Sequence, residues 1–311
     1  MHARKIAAAA ALISGTLSAQ SAFQVHGYIQ GRFTDQLGTS DRLEIRRARL
    51  ILFGDPLPKF SYRFQVDVAK KPYLMDASIA YRLAREFTVS VGQMKIPFSA
   101  ESIISDDRNA PVSRSRVVLA LAPGRDTGVQ ARDVGAQVSG TFGSGGRRLE
   151  YAAAVFRGQT FVLAPKVHYR AIAGRLIARV QGLSFGADWY GSFNTTPGTP
   201  PKRREGIEGE YSRGRADIRA EQIWARDGHL QRRGGYLLGV WRVSSCWEVL
   251  ARSDWLTTNV NAPNTASVGY IGGANLFLGG HVKAGINAGA QLGPKPGDWT
   301  SIIFAQVMTY F

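Results

Sequence analysis

Arginine residues that stand close together in strand-like segments are the clearest candidates for chemistry in this sequence. Arg46, Arg47 and Arg49 fall within four consecutive positions. A guanidinium presents a planar fork of donors that matches two oxygens of a phosphate or a carboxylate, which a lone ammonium cannot do. Arginines that surround water therefore predict recognition or passage of small anions.

Composition narrows the classes of protein that can carry these arginines. Lys and Arg number 39 against 23 Asp and Glu, a net charge of +16. The hydrophobic fraction of 44% beside 20% charged residues excludes a disordered chain. Cys246 is the single cysteine, which excludes an intrachain disulfide and a Cys-based zinc site. Histidines lack metal-ligand spacing and no nucleophile elbow is present, so we predict no cofactor, no metal and no enzyme.

The first 21 residues are predicted to be a secretory signal peptide. Arg4 and Lys5 precede a short apolar run over residues 6–13, and small residues follow up to Ala22. This is the layout of an export signal, and the run is too short to span a bilayer as a helix. We expect cleavage near Ser21 and an exported body over residues 22–311. Net charge alone would suggest nucleic-acid binding, but export argues against it, so we predict no nucleic-acid partner.

Alternation with period two runs through nearly all of the remaining chain. About sixteen such segments are present, and they include residues 23–33, 60–68, 75–82, 184–193, 215–221 and 281–291. Side chains of a strand alternate between its two faces, so each segment has one apolar and one polar face. Separators at residues 54–56, 143–146, 197–201, 227–228 and 293–297 have turn chemistry. The fold class is therefore all-β, an antiparallel meander of hairpins.

Two all-β architectures fit this pattern, a soluble sandwich or propeller and a transmembrane barrel. In a barrel, the apolar faces contact lipid and the polar faces line a wet lumen. The export signal favours the barrel, as does an alternating final strand that ends on Phe311. Aromatic residues near the strand ends are typical of interfacial girdles: Phe23, Phe33, Phe60, Trp189, Phe193, Trp247 and Trp255. We predict a transmembrane antiparallel barrel of about sixteen strands in the bacterial outer membrane.

Basic residues fall on the polar faces of the predicted strands. Arg facing hydrocarbon costs about 2–4 kcal/mol at mid-bilayer, so the lumen is their expected place. Leu43 and Ile45 have the opposite parity to Ala48 and Leu50, which predicts a β-bulge near residues 46–47 that aims both arginines inward. Predicted pore-lining or anion-binding residues are Arg32, Arg46, Arg47, Arg49, Arg63, Lys95, Arg108, Arg114, Arg116, Arg125 and Arg219. Further cations on polar faces are Arg82, Arg170, Arg175, Arg179, Arg215, Arg252 and Lys283. Alternatively, many of these arginines pair with carboxylates across the lumen.

The longest interruption between strands covers residues 97–124. Loops of this length are usually functional or disordered. We predict that this segment folds into the lumen as a constriction loop, with Arg108, Arg114 and Arg116 at its narrowest point. As an external loop, it would instead offer the same arginines to lipopolysaccharide phosphates.

Five segments resemble the phosphate-selective porin O and P family of the bacterial outer membrane. They are residues 43–50 (LEIRRARL), 62–67 (YRFQVD), 76–77 (DA), 91–101 (VGQMKIPFSAE) and 124–130 (GRDTGVQ). The resemblance implies a sixteen-stranded barrel, usually a homotrimer, with basic constriction loops and an arginine ladder whose paired arginines fall on Arg46 and Arg47. A carboxylate that the well-characterised phosphate-specific members carry near the Pro-Phe segment appears here as Lys95.

The predicted function is passive, anion-preferring diffusion of small solutes across the outer membrane. Phosphate and polyphosphate are the first candidates, with chloride as a general anion, and outer-membrane lipid and lipopolysaccharide are the expected surroundings. A cationic constriction favours anions because it adds an attractive potential where cations meet a barrier. The alternatives are a general diffusion porin without phosphate specificity, an outer-membrane barrel enzyme and a structural barrel.

Overall fold

The computed structural model describes residues 23–37, 39–71, 73–157, 170–193, 200–295 and 297–311. The predicted signal peptide lies outside these residues. Within them, sixteen antiparallel strands pair in sequence order, and the first strand pairs with the last to close a barrel. The strands are β1 Gln24–Gln36, β2 Ser40–Leu57, β3 Phe60–Asp67, β4 Leu74–Ala84, β5 Phe87–Lys95, β6 Arg132–Ser144, β7 Arg147–Phe156, β8 Arg170–Val180, β9 Leu183–Phe193, β10 Lys202–Arg213, β11 Ala216–Asp227, β12 Leu230–Arg242, β13 Trp247–Thr257, β14 Ala266–Leu278, β15 Val282–Leu292 and β16 Trp299–Tyr310. The prediction of a sixteen-stranded barrel is confirmed.

The two ends of the barrel differ in their connections. The chain termini of the barrel and short turns such as residues 58–59, 85–86, 145–146 and 181–182 lie at one end. The opposite end carries the longer connections, above all residues 96–131. Outer-membrane barrels place short turns on the periplasmic side and long loops outside the cell. We therefore call these the short-turn end and the long-loop end. No helix among the described residues has the length and apolarity to cross a bilayer.

The apolar parity of the strands faces outward, as the alternation predicts. Ile29, Ile45, Phe185 and Ile286 are exposed on the outer wall. The neighbouring polar positions point inward and are buried: Gln30, Gln65, Asp67, Asp188, Lys283 and Asn287. The seven predicted girdle aromatics are all exposed. Because a lipid-facing barrel inverts the pattern of a soluble core, this orientation excludes the sandwich.

Two local details of the predicted strands differ in the structure. Met75 belongs to the apolar parity of its segment, yet its side chain is fully buried. The β3–β4 register shifts beside it, from Gln65 opposite Asp76 to Val66 opposite Leu74, so the bulged strand turns Met75 inward. Residues 54–56 have turn chemistry, but β2 continues to Leu57 and the turn follows at residues 58–59.

The segment between β5 and β6 folds into the lumen, which is the first of the two alternatives for it. It contains helix α1 (Ala100–Ile103), a 3₁₀ turn (Asp106–Arg108) and helix α2 (Arg116–Leu121). Val117, Val118 and Leu121 of α2 are fully buried against inward-facing residues of β11, β12 and β13. Gly234 of β12 leaves room for this contact, because a Cβ there would lie 2.9 Å from Val117 Cγ2 and 2.5 Å from the Trp255 carbonyl oxygen. Apolar packing thus holds the loop against one side of the barrel.

Candidate anion pathway

The predicted β-bulge is present in β2. Gln30 of β1 lies opposite Arg47 and Gly31 lies opposite Ile45, so Arg46 is the extra residue on the β2 side. Arg47 is buried and Arg46 is half-buried, whereas Ile45 is exposed. The bulge therefore allows two consecutive arginines to point inward while Ile45 still meets lipid.

Asp106 in the 3₁₀ turn connects the loop to the arginines of β2. Its carboxylate lies 3.2 Å from Arg47 Nε, 2.8 Å from Arg49 Nη2 and 2.6 Å from Arg114 Nη2. Burial alone would raise the pKa of the Asp106 carboxyl, but Arg114, Arg49 and Arg47 together hold that pKa well below its usual range. Arg49 Nε also donates to Asp67 Oδ2 at 2.9 Å. These arginines fix the loop and are largely shielded from solvent.

A second carboxylate extends the same charge cluster towards β6. Asp76 accepts hydrogen bonds from Arg132 Nε at 2.7 Å and from Arg63 Nε at 3.1 Å. Lys95 interacts electrostatically with Asp76 and with Asp106, but its hydrogen bond goes to the Ile103 carbonyl oxygen at 2.5 Å. Arg125 likewise donates to the Ser102 carbonyl oxygen at 2.5 Å. Burial and the nearby Arg114 lower the pKa of Arg125 well below its usual range.

We call this set of side chains the central cluster. It holds seven cations, Arg47, Arg49, Arg63, Lys95, Arg114, Arg125 and Arg132, and three carboxylates, Asp67, Asp76 and Asp106. Seven positive charges against three negative ones leave a surplus of four within the set. Ion pairing inside the barrel is therefore extensive, yet it does not neutralise this wall.

Carboxylates on the opposite wall bind the backbone of the loop. Glu208 Oε2 accepts from Ala100 N at 2.7 Å, and Glu221 Oε1 accepts from Glu101 N at 2.7 Å. The Glu101 carboxylate itself accepts from Ser115 N at 2.9 Å. These N–H groups lie at the N-terminal ends of the two helices of the loop. They need acceptors from elsewhere, because the first N–H groups of a helix have no hydrogen-bond partner within it. The acidic residues of β10 and β11 thus serve to hold the loop.

The remaining predicted site residues occupy separate positions. Arg32 is buried and donates to the Val112 carbonyl oxygen at 2.5 Å, so it fastens the loop to β1. Arg116 reaches Ser267 Oγ at 2.5 Å on β14, and Arg219 pairs with Glu210 at 3.0 Å. Arg108 is exposed, and its side chain has no hydrogen bond or ion pair within the described part of the chain. The predicted residues therefore divide into loop anchors and groups that water can reach.

Within the described part of the chain, two large cavities lie beside the loop inside the barrel. The first has a volume of about 600 Å³ and extends along β4 to β8 from the short-turn end to the loop. Its charged lining comprises Arg82, Arg85, Lys95 and Arg175 against Glu150 alone. Thr88, Gln137, Ser139 and Thr141 add neutral polar groups. Four cations and one carboxylate give this cavity a surplus of three positive charges.

Ion pairs with residues outside the lining engage two of these charged groups. Arg175 pairs with Glu208 and, at 3.3 Å, with Asp188, while Glu150 pairs with Arg179 at 2.9 Å. Arg82, Arg85 and Lys95 form no ion pair within the described part of the chain. These three side chains therefore supply the positive charge that the first cavity offers to a solute.

The second cavity, of about 500 Å³, lies along β10 to β15 and is electrically balanced. Its cations are Arg108, Arg219, Arg242 and Lys283, and its carboxylates are Asp107, Glu210, Asp217 and Glu248. Two of these cations are paired, Arg219 with Glu210 and Arg242 with Asp217. Of the two spaces, the first is therefore the one with a surplus of positive charge in its lining.

Arg82, Arg85 and Arg175 of the first cavity were not among the predicted site residues. Parity places Arg82 and Arg175 among the further cations on polar strand faces, but it gives no reason to single them out from the other inward-facing cations. Arg85 lies in the turn after β4, where no strand parity applies. What the sequence does not show is that the loop covers the β2 arginines and leaves the β4–β8 wall open.

Comparison with known proteins agrees with the family resemblance seen in the sequence. The model of the family described as phosphate-selective porin O and P matches residues 5–157. This range contains β1 to β7, the loop and the whole central cluster. No curated protein matches the chain at a significant level.

Solved structures share the fold at low sequence identity. Outer-membrane expressed OmpT of Vibrio cholerae matches with a TM-score of 0.67 and 10% identity over 95% of this chain and 100% of that one. An anion-selective porin from Comamonas acidovorans gives a TM-score of 0.65 and 15% identity over 93% and 99%. OmpF of Salmonella typhi, in complex with daunomycin, gives a TM-score of 0.66 and 8% identity over 93% of this chain and 97% of that one. Residues 5–157 therefore match the phosphate-selective porin O and P family, and the whole chain has the fold of outer-membrane porins.

Proposed function

We propose that this porin conducts small anions in preference to cations and that the first cavity is their path. The observation that carries the proposal is the lining of that cavity, in which four cations face one carboxylate. A water-filled passage with fixed positive charge raises the local concentration of anions and lowers that of cations. The structurally similar porin from Comamonas acidovorans is described as anion-selective, which supports the same assignment.

The arrangement of the cations suits conduction better than tight binding. Arg82 and Arg85 are exposed near the short-turn end, while Lys95 lies deeper, beside the loop. An ion that meets several weak sites in series can enter and leave, whereas one tight site would trap it. The pathway therefore offers a succession of donors to a passing anion.

Phosphate is the first candidate solute. A guanidinium can donate two parallel hydrogen bonds to one phosphate, and the cavity holds three arginines. The family description also names phosphate selectivity. The replacement of the family's carboxylate by Lys95 favours a broader preference for anions, including chloride and polyphosphate.

General diffusion without anion preference is the second candidate, and the balanced second cavity favours it. If most current passed through that space, its four cations and four carboxylates would discriminate little between ions. The two functions differ in the sign and size of the reversal potential.

Planar-bilayer recording in a KCl gradient tests the proposal. We expect a reversal potential on the anion-selective side and a chloride current that added phosphate reduces. A reversal potential near zero would assign the current to the second cavity, and a cation-selective value would refute the proposal. Anion selectivity without phosphate block would restrict the function to general anion diffusion.

A trimeric assembly is part of the proposal. One solved neighbour, in-vitro folded OmpT of Vibrio cholerae, is described in a trimer form. Chemical cross-linking of the porin in native membranes should yield a ladder that ends at three copies, and a ladder limited to one copy would contradict it.

A further inference from the structure

An outward-facing patch of arginines lies on the outer wall at the long-loop end. Arg203 of β10, Arg226 of β11 and Arg233 of β12 are exposed, and we call them the outer basic patch. They share strand parity with Ile207, Trp224 and Leu237, which face outward. Together with Glu205, Gln231 and Val260 they line a depression of about 340 Å³. The patch therefore lies on the lipid side of the barrel and is separate from the lumen.

The strand register places these positive charges side by side. Arg203 is directly opposite Arg226, and Arg233 is directly opposite Trp224 on the next strand pair. Like charges at directly opposed positions destabilise a sheet unless something lies between them. Glu205 pairs with Arg203 at 2.5 Å. Within the described residues, the side chains of Arg226 and Arg233 have no hydrogen bond or ion pair. Two guanidiniums are thus left for a ligand.

The depth of the patch points to the class of ligand. Trp189, Glu205, Trp224 and Arg233 form one row across the outer wall, and Arg203 and Arg226 lie two residues nearer the long-loop end. Exposed tryptophans mark the level of lipid headgroups. Two strand residues span about 7 Å, so the arginines reach the headgroup layer just beyond the tryptophans.

We propose that the outer basic patch binds the phosphorylated headgroup of a lipid in the outer leaflet. A phosphate between Arg203 and Arg226 would accept charge-assisted hydrogen bonds from both and would remove their mutual repulsion. Arg233 would contact the same headgroup from the third strand, while the acyl chains lie along Ile207 and Leu237. The site needs no part of the lumen, so it is independent of the proposed channel function.

A binding titration on the whole barrel tests this site. The delipidated barrel in neutral detergent is titrated with lipid A, a glycolipid with two phosphate groups, and bound lipid is counted by native mass spectrometry. The variant carries Arg203→Gln, Arg226→Gln and Arg233→Gln. We expect its affinity for lipid A to fall by about tenfold or more, since several charge-assisted hydrogen bonds are lost. Equal affinity of the two proteins would overturn the proposal.

A second variant controls for overall charge. Arg147, Arg213 and Arg215 are exposed at the short-turn end, and their joint replacement by Gln removes the same three charges. This variant should retain the affinity of the wild type, and an equal loss would show that binding is unspecific and overturn the proposal. Inorganic phosphate in large molar excess should leave the lipid bound. Displacement by phosphate alone would assign the patch to free phosphate and refute the lipid assignment.

Discussion

Neutralising the first cavity should reduce anion selectivity by a calculable amount. The perturbation is the triple variant Arg82→Gln, Arg85→Gln and Lys95→Gln, which leaves Arg175 and Glu150 as the charged lining. Glutamine keeps a long polar side chain, and at position 95 it can still donate to the Ile103 carbonyl oxygen. The change therefore removes charge while it preserves shape.

The size of the effect follows from the dimensions of the cavity. A sphere of about 600 Å³ has a radius of about 5 Å, so an ion at its centre lies about 7 Å from a lining charge. At the dielectric constant of water, each unit charge contributes about 0.6 kcal/mol at that distance, and salt at about 0.1 M halves it. Three charges then contribute about 0.9 kcal/mol, or about fivefold in local ion concentration. In the variant, the local concentration of anions falls and that of cations rises by this factor. The ratio of anion to cation permeability should therefore shift about twentyfold.

Reversal potentials in a KCl gradient measure this ratio directly. The matched control is the outer-patch variant with Arg203, Arg226 and Arg233 replaced by Gln, which loses the same three charges outside the lumen. We expect the lumen variant to lose most of its anion preference and the outer-patch variant to retain it. Equal reversal potentials for the two variants would refute the assignment of the pathway to the first cavity. Raising the salt to about 1 M should also shrink the difference, because the Debye length falls to about 3 Å.

Three further predictions concern the loop. Asp106→Asn removes the carboxylate shared by Arg47, Arg49 and Arg114. Because breaking a buried ion pair costs about 3–5 kcal/mol, the loop should detach from the barrel wall, and single-channel currents should become larger and noisier. Currents of the variant that are as quiet as those of the wild type would contradict this role. Gly234→Val should displace α2, because the valine side chain would occupy the place of Val117. Protease cleavage within residues 116–121 would report the displacement. Full protection of this segment in the variant would contradict the packing of α2 on β12. The depressed pKa of Asp106 means that its stabilising contribution is complete above the unfolded pKa and is lost as pH falls through the folded pKa. Current noise should therefore stay constant from pH 8 to about pH 4 and rise only below it, and a transition near pH 6 would exclude Asp106 as its cause.

Strand number, face orientation and the β2 bulge could be predicted from the sequence. Each depends on the alternation of apolar and polar side chains, which a few neighbouring residues of one strand are enough to show. Ile45 and Ala48 must both meet lipid, and only an extra residue between them permits that. The inward orientation of Met75 could not be predicted in this way, because the bulge beside it does not interrupt the alternation of apolar residues. The docking face of α2 was also missed. The sequence signal for this docking face is a run of consecutive apolar residues in one strand, Ile223, Trp224 and Ala225, which makes both faces of the strand apolar. Such a run is typical of strands that are buried on both sides.

The accessible charge of the lumen depends on how the loop uses the carboxylates of the barrel. Glu208 and Glu221 accept hydrogen bonds from backbone N–H groups of the loop, and Asp106 brings its own charge to the β2 arginines. None of these three carboxylates lines the first cavity, although Glu208 also pairs with Arg175, and Arg82 and Arg85 of that cavity keep no carboxylate partner among the described residues. A count of inward-facing charges on the strands cannot show this, because it assigns the same weight to a buried arginine in a loop anchor and to an exposed one. In the proposed function, the loop therefore influences selectivity through the charges that it covers, in addition to how far it narrows the barrel.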